Sequence, residues 1–281
     1  MISNRLQRQA LAYLVLLVAA SVFVIPYGWL FVSSFKPTGE IMTRLWPTHW
    51  TFANFTFLTD QAAATGYPFM RNLLNSVFIS STVAVSVAVF GSMCAYGLTQ
   101  FDFPGRGLIH RFVILQIVFP ALMFVVPMYT LVRHLHLLNT YGAVIIPALM
   151  TPWSVFLFAQ VFRNIPKELL DAARMDGASE WSIIWKIVFP LTRSIFGVVA
   201  LFTFTASWDD LLWPLIVIQA HQLLPLTPSV TMFALSEYTS SNYLGAQLAS
   251  AVLLTTPILV LYLIFRRWFT EGVALSSGLR M

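Results

Sequence analysis

Two adjacent carboxylates, Asp209 and Asp210, interrupt an apolar stretch and are bracketed by Trp208 and Trp213. Acids inside a bilayer are costly and tend to face a cavity or a partner. Such a pair can titrate in an ion-coupled carrier, with Glu237 as a third candidate, or it can accept hydrogen bonds from a hydroxyl-rich solute. It can also lie at the outer interface, where the two tryptophans would form an aromatic belt beside a helix that ends early. Other reactive groups lead less far. Arg133, His134 and His136 lack a third residue at metal-ligand spacing. Cys94 is the single cysteine, so no intrachain disulfide can form. The sequence has no Gly-x-x-x-x-Gly-Lys-Ser/Thr phosphate loop, no Gly-x-Ser-x-Gly elbow and no His-Glu-x-x-His pair. A membrane-embedded enzyme would lack a credible acid–base or nucleophile set. If ATP drives this chain, a partner must bind it.

The segment 163–194 carries the most local information. From Asn164 to Gly177 it reads as a short helix with marked ends. Pro166 suits the first helical position, where its missing N–H is no loss. Glu168 favours the positive end of the helix, and Gly177 suits a left-handed residue just past it. Leu169, Ala172, Ala173 and Met175 are apolar or small, while Lys167, Asp171 and Arg174 form a charged side. Ser179 is placed to cap a second helix over 180–189, where Trp181, Ile184, Trp185 and Val188 recur at helical spacing. Two amphipathic helices this short cannot cross a bilayer. They lie on it as a connecting loop, or they dock into another protein that the small Ala172 and Ala173 would let approach closely.

The elements that must position these groups follow from composition. Of 281 residues, 58% are hydrophobic and 10% charged, against about 25% charged in soluble domains. This composition rules out a disordered chain and argues against a soluble enzyme. Six apolar stretches, about 11–35, 73–98, 108–132, 141–162, 195–218 and 246–269, are each long enough to span. The first continues well past Ala19-Ala20-Ser21, which favours a span over a cleaved signal. With the N-terminus inside, twelve of the sixteen Lys and Arg residues fall on the inner side; Lys36, Arg44, Arg71 and Arg133 fall outside. The positive-inside rule then predicts both termini in the cytoplasm. Basic residues divided in this way argue against a nucleic-acid-binding patch. Gly91 and Gly97 are candidates for close helix packing.

Asp171-Ala172-Ala173, Asp176-Gly177-Ala178 and Ile187-Val188-Phe189-Pro190 resemble the "EAA" loop of ABC-importer permeases, with Asp171 in place of Glu and Phe189 in place of Leu. Ser33-Ser34-Phe35-Lys36, Arg71-Asn72-Leu73-Leu74-Asn75-Ser76 and Arg267-Trp268-Phe269-Thr270-Glu271-Gly272 are similar to that family's segments around its first, second and last spans. The run from Trp208 to Leu215 resembles the "W-N-x-x-x-W-P-L" segment of its carbohydrate permeases, with Asp209 in place of Asn. The resemblance is to the six-helix, MalG-like permease of the maltose-transporter type. It implies an all-α, six-span type I importer permease forming one transmembrane domain over 1–281, with 163–194 as the cytoplasmic coupling loop. Asp171, Ala172, Ala173, Asp176 and Gly177 would then meet an ATPase. Trp208, Asp209, Asp210 and Trp213 would line the path or meet a binding protein. The resemblance also implies a second, MalF-like permease, two ATPase subunits that bind the ATP and Mg, an extracytoplasmic solute-binding protein and a bacterial or archaeal plasma membrane. No cofactor or catalytic residue is expected in this chain, and the solute is a sugar or sugar-like compound. The alternative is an ion-gradient-driven secondary transporter.

Overall fold

The structure is a computed structural model that describes the backbone of residues 2–62, 66–236 and 243–276, and the side chains of these except 2–6, 8, 61 and 266–276. The described residues form helices and turns without strands. Ten of these helices frame the crossings and the candidate sites: α1 (Ile2–Ser34), α2 (Phe69–Gln100), α3 (Arg106–Val118), α4 (Val125–His134), α5 (Pro152–Phe162), α6 (Lys167–Met175), α7 (Arg193–Trp208), α8 (Leu212–Val217), α9 (Leu226–Leu235) and α10 (Leu244–Ser276).

Four segments are long and apolar enough to cross a membrane: Gln9–Ser34, Phe69–Gln100, Gly142–Phe162 and Leu244–Phe265. Two helix pairs bent at a short break, Arg106–Val118 with Ala121–His134 at 104° and Glu180–Leu191 with Arg193–Trp208 at 86°, bring the number up to six if each pair is one span, the second pair starting inside the segment 163–194. Helix covers most of each of the six apolar stretches, but three of them are interrupted. The stretch expected over 108–132 breaks at Pro120. A residue before proline is pushed out of the helical region, and Phe119 is extended at φ −75° and ψ 134°. The stretch expected over 195–218 stops at Trp208 and resumes at Leu212. Between 141 and 162 the same proline effect acts at Thr151, extended at φ −121° and ψ 141° before Pro152. Its hydroxyl oxygen accepts the N–H of Ser154 at 3.3 Å and caps α5.

The chain divides into two compact units. The first, Met1–Met70 with Val230–Thr256, holds α1, whose most apolar window has no buried residue. Beyond α1, Phe35 gathers Phe31, Phe52 and Phe55 at ring-centroid distances of 5.2, 5.4 and 4.9 Å. Lys36 is fully buried, and its ammonium donates to the Arg44 carbonyl at 2.9 Å and the Ser33 hydroxyl at 3.1 Å. Asn54 donates to the carbonyls of Ser34 and Lys36 at 2.8 and 2.9 Å. The chain leaving α1 is thus held by hydrogen bonds to groups that a helix end leaves unpaired.

The second unit, Arg71–Ser229 with Pro257–Met281, contains both candidate sites. Its core includes the buried Val87, Tyr96, Phe158, Phe162, Leu170, Ile183 and Val188. Phe196 packs against Phe158 at 4.6 Å and Phe189 at 4.8 Å. Gly91 lets α2 approach α5 closely: an added Cβ would lie 2.5 Å from the Ser154 hydroxyl oxygen. Gly97 has no such neighbour, so only one of the two glycines supports close packing. Asn75 on α2 donates to the carbonyls of Gln222 and Leu224, both at 3.0 Å, and accepts from Tyr141 at 2.8 Å. Ser76 accepts the Leu226 N–H at 2.7 Å. These residues staple the segment after α8 to the span α2.

Candidate functional site

The helix α6 begins at Lys167, one residue later than its proline suggests, because Pro166 has ψ 127° and stands just outside it. Its C-terminus is closed by a Schellman pair: Ala178 N–H donates to Ala173 O and Gly177 N–H to Arg174 O, both at 3.0 Å. Gly177 takes φ +81° with open space around it. Its constraint is therefore the backbone sign, not crowding. Ser179 then accepts the Ser182 N–H at 3.3 Å and starts the second arm. That arm is not the regular helix expected over 180–189. It is one helical turn to Ile183, a π-type turn over Ile184–Val188 and a last turn over Phe189–Leu191.

Leu170 is the anchor of α6, fully buried, while Leu169 and Met175 are exposed at 43% and 88%. Asp171, Ala172, Asp176 and Gly177 are exposed, whereas Ala173 and Arg174 are half-buried. The two adjacent alanines therefore do not share one outer face. Successive residues turn by about 100° around a helix, so Ala173, three positions after Leu170, follows it inward. Leu169, Ala172, Met175 and Asp176 form the open side.

Two charged residues of the loop, Arg174 and Glu180, are tied inward. Arg174 donates to Glu180 at 2.8 Å and to Asp171 at 2.7 Å, and its guanidinium lies 5.9 Å from the Phe101 ring centre. The Tyr96 hydroxyl on α2 donates to the same Glu180 carboxylate. The Arg174 hydrogen bonds, with a smaller contribution from Tyr96, hold the Glu180 carboxyl below its usual range against opposing burial. Hydrogen bonds to Glu180 and Asp171 likewise raise the guanidinium pKa. Sequence reading placed Arg174 on a charged side and gave Glu180 and Tyr96 no role. Tyr96 lies 84 residues from Glu180, and no local pattern reports such a link.

The four residues of the candidate path are dispersed. Trp208 is fully buried and stacks on Phe204 at 5.6 Å; its carbonyl accepts from Thr227. Asp209 is exposed, at the end of α7, with its N–H on Thr205 O at 3.0 Å. Asp210 and Trp213 line a cavity of about 560 Å³. Trp213 donates its indole N–H to Ala143 O at 2.9 Å, and its backbone N–H points at the Asp210 carboxylate at 3.4 Å. Glu237, the third carboxylate considered for ion coupling, lies outside the described residues, as does Arg280.

Described residues that are helical without strands, four to six apolar candidate crossings, a charged helical hairpin and a cavity at helix breaks define a polytopic membrane transport component. The family model described as "Binding-protein-dependent transport system inner membrane component" matches residues 87–274, and the chain belongs to that family. It is 31% identical over 269 residues to the diacetylchitobiose uptake system permease protein NgcG of Streptomyces coelicolor, covering 94% of this chain and 87% of that protein. It is 34% identical over 263 residues to the arabinooligosaccharides transport system permease protein AraQ of Halalkalibacterium halodurans, covering 92% of each. Its fold matches a chain of a bacterial ABC transporter involved in import of the acidic polysaccharide alginate, with a TM-score of 0.80 at 21% identity over 92% of this chain and 95% of that one. The chain is thus a permease component of an ABC importer, with the type I permease fold. Its family implies an ATPase and a solute-binding protein as partners.

Proposed function

We propose that this chain is the MalG-like half of a two-permease channel that moves a neutral oligosaccharide into the cytoplasm. A second, MalF-like permease completes the channel, two ATPase subunits bind ATP and Mg, and a binding protein delivers the solute outside. The segment 163–194 is the coupling loop on the cytoplasmic side, where both termini also lie. The observation that carries this reading is the open side of α6, with Leu169 and Met175 exposed beside Ala172. Large apolar side chains next to a small residue suit a partner's groove. On the inner side, Leu170 and the Tyr96–Glu180–Arg174 hydrogen bonds fasten the same helix to the span α2. A push on α6 then has a mechanical route into the membrane helices.

The sugar assignment rests on the relatives NgcG and AraQ, whose names specify diacetylchitobiose and arabino-oligosaccharides. Both are neutral and rich in hydroxyls. Uptake of either sugar into proteoliposomes holding the full complex, with ATP inside and binding protein outside, tests the proposal. Uptake that requires ATP and the binding protein supports it. Uptake that persists without ATP and follows an imposed ion gradient refutes it.

A further inference from the structure

We infer that the cavity beside Asp210 is a charge-selective station on the solute path, admitting neutral hydroxyl-rich solutes and turning away anions, with the Asp210 carboxylate as the selecting group. The inference rests on the proposed reading of this chain as half of the channel. It adds the class of solute and the residue that sets it.

The cavity lies wholly within the second unit, and its volume of about 560 Å³ falls in the range of small-molecule sites. Three interruptions of helical backbone meet at its wall. Ala121 follows the break at Pro120, Thr151 precedes the start of α5, and Asp210 sits in the gap between α7 and α8. Irregular backbone at membrane depth persists only where it is buried in protein or lines a water-filled cavity. Discontinuous helices are also where transporters build solute sites. Convergence of three breaks on one cavity is therefore more than a packing defect.

The lining chemistry is specific. Apolar and aromatic groups, Trp213 among them, make up most of the wall, with the hydroxyl-bearing Thr151, Thr203 and Ser207. Asp210 is the one charged residue among the described lining residues, and no Lys or Arg among them balances it. Its carboxylate takes the Trp213 N–H at 3.4 Å and the Leu212 N–H, which leaves about half of its four or so acceptor sites open. Sugar hydroxyls can donate to it. A phosphate or uronate would instead meet a like charge in a cleft of low dielectric, where one sign of charge changes local ion concentration by about ten- to a thousandfold.

Charged thiol reagents test this without knowledge of the natural solute. The protein is the assembled complex in proteoliposomes, carrying Cys94→Ala and Ala206→Cys; Ala206 is an exposed lining residue. Rates with a cationic and an anionic methanethiosulfonate of similar size are each divided by their rates with free 2-mercaptoethanol. The expected result is a cation preference of about tenfold or more. Asp210→Asn should reduce it to within about twofold. Met128→Lys adds a counter-charge to the same wall without touching Asp210 and should do the same, so the test survives if Asp210→Asn fails to assemble. Equal normalised rates with Asp210 present, or a preference that both variants leave intact, would overturn the selecting role while leaving the path reading standing. No reaction with either reagent, with or without ATP, would mean the cavity is closed to water and would overturn the path reading together with this inference.

Discussion

Gly177 occupies a left-handed backbone conformation at φ +81° with nothing within 4 Å of its missing Cβ. A side chain there meets no neighbour but costs about 1–2 kcal/mol of backbone strain, least for Asn. Gly177→Asn should therefore retain ATPase copurification, whereas Gly177→Val should lower it by about five- to thirtyfold; equal loss in both would contradict the turn. Ala172 and Ala173 make a second pair. Ala172→Arg should reduce ATPase binding and leave permease stability unchanged, because its side chain is outside. Ala173→Arg should instead lower the melting temperature of the permease, because Ala173 is half-buried beside the Leu170 anchor. Scanning fluorimetry with pull-down separates the two. The sequence showed the glycine's backbone conformation, since a residue just past the helix end needs that one backbone sign. It left the alanines undivided, because both are small and only the rotation from Leu170 distinguishes them.

At the scale of elements, α6 is joined to α2 by Glu180, which Tyr96 and Arg174 share. Tyr96→Phe removes the hydrogen bond to the Glu180 carboxylate and the long one, at 3.4 Å, from Arg174, and should cost about 1.5–3 kcal/mol in urea unfolding of the solubilised protein. The folded pKa of Glu180 is depressed. Its stabilisation is thus fully present above the unfolded value of about 4.3 and fades as pH falls through the lower folded value. The stability advantage of the native chain over Glu180→Gln should be constant near neutrality and shrink below about pH 4; an advantage unchanged down to about pH 3 would contradict the pairing. Elements were partly legible. Apolar length marked the four single-segment candidate crossings, and Pro120 and Pro152 stood in plain view at two breaks. The stretches still read as continuous because apolarity runs through the prolines. The break at Asp209–Leu211 had only its two acids as a signal.

The whole molecule depends on links no local pattern reveals. Asn75 reaches Gln222 and Leu224 across 147 and 149 residues, and Asn139 accepts from the N–H groups of Gln219 and Ala220 at 3.1 and 2.9 Å. Asn75→Ala would leave both carbonyls without this donor, and the segment after α8 should become more open to proteolysis while α6 keeps its contacts with the ATPase. Limited proteolysis of the complex checks it. Coupling requires that the open side of α6 meet an ATPase in the cytoplasm. Cross-linking in the assembled complex measures this directly, using Ala172→Cys in a Cys94→Ala background. Arg44→Cys, on the side that the charge pattern assigns to the exterior, is the control. A cross-link from position 172 to the ATPase subunit, and none from position 44, is the expected result. No cross-link from position 172, or equal cross-linking from both, would contradict the coupling role of α6.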